Sequence, residues 1–99
     1  MSTYRFTARA RLDLLHIWNH IASDNVTAAR KMRGELFKSV RVLADNPGFG
    51  HPRDDVPDPR LRFYSVRPYV IAYLPETHPL TVVRIVHGAR DFGAIFDNG

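Results

Sequence analysis

RLRFYSVRPYVIAYLPETHPLTVVRIVH, Arg60–His87, holds three stretches rich in valine, isoleucine and aromatic residues: RLRFYSV, YVIAYL and LTVVRIVH, separated only by RP and PETHP. β-Branched and aromatic side chains suit a pleated, half-buried surface, and short proline-bearing breaks mark turns between strands. Three strands joined this closely predict an antiparallel meander. YVIAYL and VVRIV are apolar at both alternating sets of positions, whereas a sheet with one wet face shows polar alternation. The second face is therefore expected to be covered, either by the C-terminal FGAIF within the chain or by a partner.

Upstream of Arg60 the pattern changes. DNPGFGHPRDDVPDP, residues 45–59, carries four prolines and two glycines, so it reads as a long loop. Before it, Ala29, Met32, Leu36, Val40 and Leu43 recur on one face of a helix that Asn25 can cap and that runs to about Ala44. Ala10, Leu14, Ile17 and Ile21 form a similar stripe on an earlier helix from about Ala8 to Ala22, with Thr7 as its cap. Only SDN lies between the two, which makes them an antiparallel hairpin. Gly34, inside the second helix, costs roughly 1 kcal/mol relative to alanine unless close packing uses it. TYRFT at the start reads as a short strand. The order strand, helix, helix, loop, strand, strand, strand is α+β: an antiparallel two-helix hairpin packed on a small, mostly antiparallel sheet, with residues 1–99 as a single domain.

A chain of 99 residues buries one modest core, so its function is expected on the surface. It has no cysteine, which excludes a disulfide framework, a thiolate metal site and thiol catalysis. The net charge is +4 and the isoelectric point about 10.0, and Lys31 and Lys38 are the only basic residues that are not arginine. The guanidinium fork suits carboxylate or phosphate, so an acidic partner is expected. MSTYRFTARARLDLL lacks the apolar segment and cleavage site of a signal peptide, and no apolar run approaches about 18 residues, so a cytoplasmic location without a membrane partner is expected.

Few residues suggest chemistry. His16 and His20 lie one helical turn apart but opposite the buried stripe, without the glutamate of a metalloprotease motif, and read as a solvated face. RDDVPD lacks the glycine and terminal glutamate of a calcium loop. No phosphate-binding or nucleophile-elbow motif occurs. Neither a metal nor a cofactor is expected. VVRIVHGARD, Val82–Asp91, is the remaining cluster. With Arg60, Arg62 and Arg67 it contains the minimum for holding a phosphodiester while His87 moves a proton. Alternatively Arg84, Arg90 and Asp91 make surface ion pairs, and His87 and Gly88 simply end a strand.

YRFTARARLDLLHIWNHIA, AAR, LADNPGFGHPRDDV, RLRFYSVRPYVIAY and VVRIVHGARDFGAIF together resemble the ParE-type toxins of type II toxin–antitoxin pairs, within the RelE/ParE superfamily. The resemblance runs nearly end to end, and its last three segments are the specific ones. His20 stands where such sequences often carry tyrosine. The resemblance implies a hairpin-on-sheet toxin, neutralised in a hetero-oligomer by an acidic ParD-like antitoxin whose disordered half folds along it. DNA gyrase is the implied target. Within the same superfamily, RelE-type members cut mRNA on the ribosome, and a plain interaction module is a third reading.

RelE-type nucleases typically place a tyrosine after the arginine corresponding to Arg90. Here that place is Phe96, or Ile95 if the register slips, and neither exchanges a proton. The lysine pair common in such nucleases is missing too. A toxin that binds without catalysis is therefore expected, with no catalytic residue assigned. For the antitoxin the expected surface is Arg11, Leu12 and Leu15 on the first helix with Arg60, Leu61, Arg62 and Phe63 after the loop. For the target it is His87, Arg90, Asp91, Phe92 and Phe96 in the tail after the last strand.

Overall fold

A computed structural model describes residues 3–97 and arranges them as β1 (Tyr4–Phe6), α1 (Ala8–Ala22), α2 (Val26–Asp45), β2 (Arg62–Val66), β3 (Tyr69–Leu74), β4 (Leu80–His87) and α3 (Phe92–Ile95), with a 3-10 turn at Pro47–Phe49. The strand order is β1-β4-β3-β2. β2, β3 and β4 pair antiparallel, and β1 joins β4 in parallel, Tyr4 opposite Leu80. The α+β arrangement expected of the sequence is the one observed. Among the described residues no helix is long and apolar enough to cross a membrane.

The helices begin where their caps require. The Thr7 hydroxyl accepts from the Ala10 N–H and donates to the Val83 carbonyl, so one side chain both starts α1 and ties it to β4. Asn25 caps α2 through the Ala28 N–H. The hairpin covers one face of the sheet, where Ala10, Ile17, Leu36, Val40 and Leu43 meet Tyr69, Ile71, Tyr73, Leu80, Val82 and Ile85.

Val82 and Ile85 are three positions apart, yet both face the helices, which a regular strand forbids. The register explains it: Ala72 pairs with Arg84 and Tyr73 with Val82, so Val83 is an extra residue, a β-bulge. VVRIV reads as apolar on both faces partly for this reason.

The other face is covered by the chain itself. Phe92 and Phe96, at either end of α3, join Val56 and Leu61 from the long loop over Phe63, Val70, Ala72 and Val86. Phe63 meets Phe92 and Phe96 edge-on, with centroids 5.9 and 5.5 Å away, and the Arg53 guanidinium lies 3.9 Å from the Phe92 centroid. Of the two covers left open by the sequence, FGAIF is realised, together with part of the loop.

The proline loop is tied down. His51 and Phe63 exchange two backbone hydrogen bonds, and the Tyr73 hydroxyl accepts from the Gly50 N–H while donating to the Pro47 carbonyl. Gly50 is required here, because a Cβ would lie 2.5 Å from the Tyr73 hydroxyl and 2.9 Å from the Phe63 carbonyl. Gly34 is different: nothing lies within 4 Å of where its Cβ would stand, so close packing does not account for it.

Candidate functional site

Two surfaces carry the candidate residues. The first is a groove of about 320 Å³ between α1 and α2, floored by Ala29 and Leu36 and walled by Leu15, Trp18 and Phe37, with Arg33 over the Phe37 ring at 5.6 Å. Two helices packed through small and aliphatic residues leave their flanking large side chains splayed at the rim. Leu15 is 53% exposed and Leu12, one turn earlier, 38%. An apolar groove with a cationic edge accepts an amphipathic segment carrying aliphatic and acidic side chains.

The second surface is a cleft of about 280 Å³ between α1 and the end of β4. Arg9, Asp13, His16 and His20 form a stripe along α1 that faces Arg84, His87 and Arg90. Asp13 is the buried centre. Its carboxylate accepts from Arg84 Nε at 2.8 Å, from Arg84 Nη2 at 3.1 Å and from the Ile85 N–H at 2.9 Å. A buried carboxylate needs such saturation, and the fork of arginine supplies it in one plane. At the rim the Ala89 N–H donates to His87 Nδ1 at 3.1 Å, and the Tyr69 ring packs edge-on against the imidazole.

The expected antitoxin residues separate. Arg11, Leu12 and Leu15 are exposed on α1. Arg60 is exposed and bound in bidentate fashion to Asp58, at 3.0 and 2.8 Å. That hydrogen-bonded pair holds the Asp58 carboxyl below its ordinary range. Arg62 is half-buried and donates to the Gly50 carbonyl, so it is engaged in fastening the loop. Leu61 and Phe63, expected to face a partner, belong to the second core and face inward in the folded chain. The alternation of Arg60 and Arg62 with Leu61 and Phe63 was legible in sequence, but it sorts a core from a surface rather than building one amphipathic contact.

The expected target residues separate in the same way. His87 and Arg90 are exposed at the cleft. Asp91 caps α3 by accepting from the Ala94 N–H. Phe92 and Phe96 are 1% and 8% exposed, so the tail lays its rings on the sheet in the folded chain. Their burial follows from the apolar second face, which had to be covered.

Arg84 makes a largely buried ion pair rather than a surface one, with side-chain exposures of 16% for Arg84 and 8% for Asp13. Nothing in the sequence analysis singles out Asp13, and His16 and His20 read there as a solvated face. They are exposed, but at a cleft. The signal available was the spacing of Arg9, Asp13, His16 and His20 at i, i+4, i+7 and i+11, a second stripe on α1 beside the apolar one. Among the described residues no group of three or more His, Asp or Glu side chains is placed to hold a metal ion.

Comparison with known proteins agrees with this fold. A family model described as the ParE toxin of the type II toxin–antitoxin system, parDE, matches residues 4–92. A solved structure, described as the chromosomal ParDE TA system from P. aeruginosa, is 22% identical, aligns over 88% of this chain and 96% of its own, and has a TM-score of 0.72, which establishes the shared fold. No curated protein matches the chain.

Proposed function

Since the chain belongs to the ParE toxin family of type II toxin–antitoxin systems, we propose that this toxin acts in the cytoplasm by inhibiting DNA gyrase and is neutralised by an acidic ParD-like antitoxin in a hetero-oligomer. The observation that carries the non-catalytic reading is Phe96. Where a RelE-type nuclease sets a tyrosine, this chain has a ring closed against Phe63 and Phe92, with centroids 5.5 and 6.0 Å away. A phenylalanine there has no proton to exchange with an RNA 2′-hydroxyl, and Ile95, the neighbouring candidate, has none either. Binding rather than bond cleavage is what such a surface supports.

The groove between α1 and α2 supports the antitoxin half of the reading. Leu15, Trp18 and Phe37 offer apolar burial, and Arg33 on the groove's lining offers a partner for a carboxylate. A disordered acidic segment needs both, because ordering it costs about 2–5 kcal/mol of the interaction energy.

The test is a purified supercoiling assay. The toxin should block supercoiling by gyrase, and an equimolar amount of its cognate antitoxin should restore activity. Normal supercoiling at large toxin excess, together with ribosome-dependent mRNA cuts, would replace this reading with the RelE one. If neither effect appeared, an interaction module would remain.

A further inference from the structure

The cleft between α1 and the end of β4 carries an excess of positive charge. Asp13 is the only acidic residue that lines it, and Arg84 and the Ile85 N–H already saturate its carboxylate. Arg9 and Arg90 remain as exposed cations without an ion pair among the described residues. His16, His20 and His87 stand between them as exposed imidazoles. From Arg9 to His20 this row extends about 16 Å along α1, at 1.5 Å per residue.

We propose that this cleft is a docking site for the sugar–phosphate backbone of duplex DNA. The inference rests on the gyrase reading and deepens it: the toxin would hold the DNA on which the enzyme acts as well as the enzyme. Arginine forks and imidazole N–H groups suit phosphate oxygens, and the row on α1 is long enough to follow several successive phosphates of one strand.

The lining selects among anionic partners. Ile17, Tyr69, Ile85 and Val86, the apolar residues of the cleft, are all buried, so none of them stands open as an apolar anchor point for a partner. A disordered acidic peptide finds no exposed apolar side chain there against which to offset its ordering, whereas a duplex is already ordered and binds chiefly through charge. Single-stranded RNA is recognised mainly by stacking on open aromatic platforms. Tyr69 is buried and its ring is engaged edge-on by His87, so among the cleft's rings the imidazoles alone are open to a base, and the RNA strand in the experiment tests that alternative.

The experiment is fluorescence anisotropy of a short labelled duplex with the free toxin over a range of salt, with an RNA strand of the same sequence in parallel. Arg9→Ala plus Arg90→Ala should weaken duplex binding about tenfold and lower the slope of log affinity against log salt by about 1.8, from 0.9 for each lost phosphate contact. Arg30→Ala plus Arg41→Ala removes the same charge from exposed positions on α2 and should leave the slope near wild type. Both variants are checked by circular dichroism and antitoxin binding, and Arg9→Gln plus Arg90→Gln replaces the first if it does not fold. Equal losses in both double variants, no duplex binding by the wild type, or tighter binding of the RNA strand would each overturn the proposal. The assay contains no gyrase. Lost DNA binding with intact supercoiling inhibition therefore overturns the cleft alone, and DNA binding without inhibition overturns the gyrase reading alone.

Discussion

Asp13 in α1 and Arg84 in β4, 71 positions apart, form a bidentate ion pair at 2.8 and 3.1 Å, and the same carboxylate accepts the Ile85 N–H. The pair sits beside the β4 bulge and fastens the helical layer to the sheet. Removing one partner leaves a largely buried charge and a buried N–H unpaired. Asp13→Ala should therefore lose about 3 kcal/mol, the lower end of the range for broken buried pairs because Arg84 keeps some solvent contact. Asp13→Asn retains an acceptor for Ile85 and should lose less. Urea unfolding reads both as a shifted midpoint at constant m. Equal midpoints for the wild type and Asp13→Ala would show that the pair holds nothing together.

Burial pushes the Tyr73 hydroxyl above its ordinary range, and so it does for Tyr69. The folded chain then keeps a proton that the unfolded chain has already released. The stabilisation is complete below the unfolded tyrosine value of about 10 and is lost as pH rises above it. Tyr73→Phe should flatten part of this alkaline decline, Tyr69 accounting for the rest. At neutral pH it should cost about 1–3 kcal/mol, because the Gly50 N–H and Pro47 carbonyl lose their partner. Thermal melts across alkaline pH decide it. An unchanged decline in Tyr73→Phe would count against the assignment.

Gly34 lies in the α2 interior with open space around its missing side chain. Gly34→Ala should raise stability by about 0.5–1 kcal/mol, mainly by restricting the unfolded chain, and raise Tm by about 2–8 °C. Gly50→Ala should act in the opposite direction, since its methyl group would meet Tyr73 and the Phe63 backbone. Calorimetry on the two variants checks both signs.

Antitoxin kinetics separate the apolar contribution from the charged one. Leu12→Ala plus Leu15→Ala should raise the antitoxin dissociation rate at least about tenfold, given roughly 1.5–3 kcal/mol for burying one leucine. Arg11→Ala plus Arg60→Ala should mainly slow association and reduce its salt dependence. The arginine effect will be moderate, because Arg60 must first exchange its bond to Asp58. Unchanged dissociation in the leucine variant would place the antitoxin on another surface.

Local pattern alone determined the elements of this protein. Apolar spacing, the caps at Thr7 and Asn25 and the prolines of residues 45–59 bound two helices and four strands close to where they stand, though not α3, because backbone hydrogen bonding and side-chain periodicity act over a few residues. The doubly apolar β3 and β4 also required that something cover the second face. What covers it was settled only in three dimensions: Phe92, Phe96, Val56 and Leu61 turn inward, and residues expected to meet partners became core. The bulge at Val83 left only the ambiguous trace of a doubly apolar VVRIV, and the union of Asp13 with Arg84 left none. Each depends on register and on the meeting of distant segments, and an apolar pattern cannot tell a bulge from a strand buried on both faces, nor does a carboxylate reveal its distant partner.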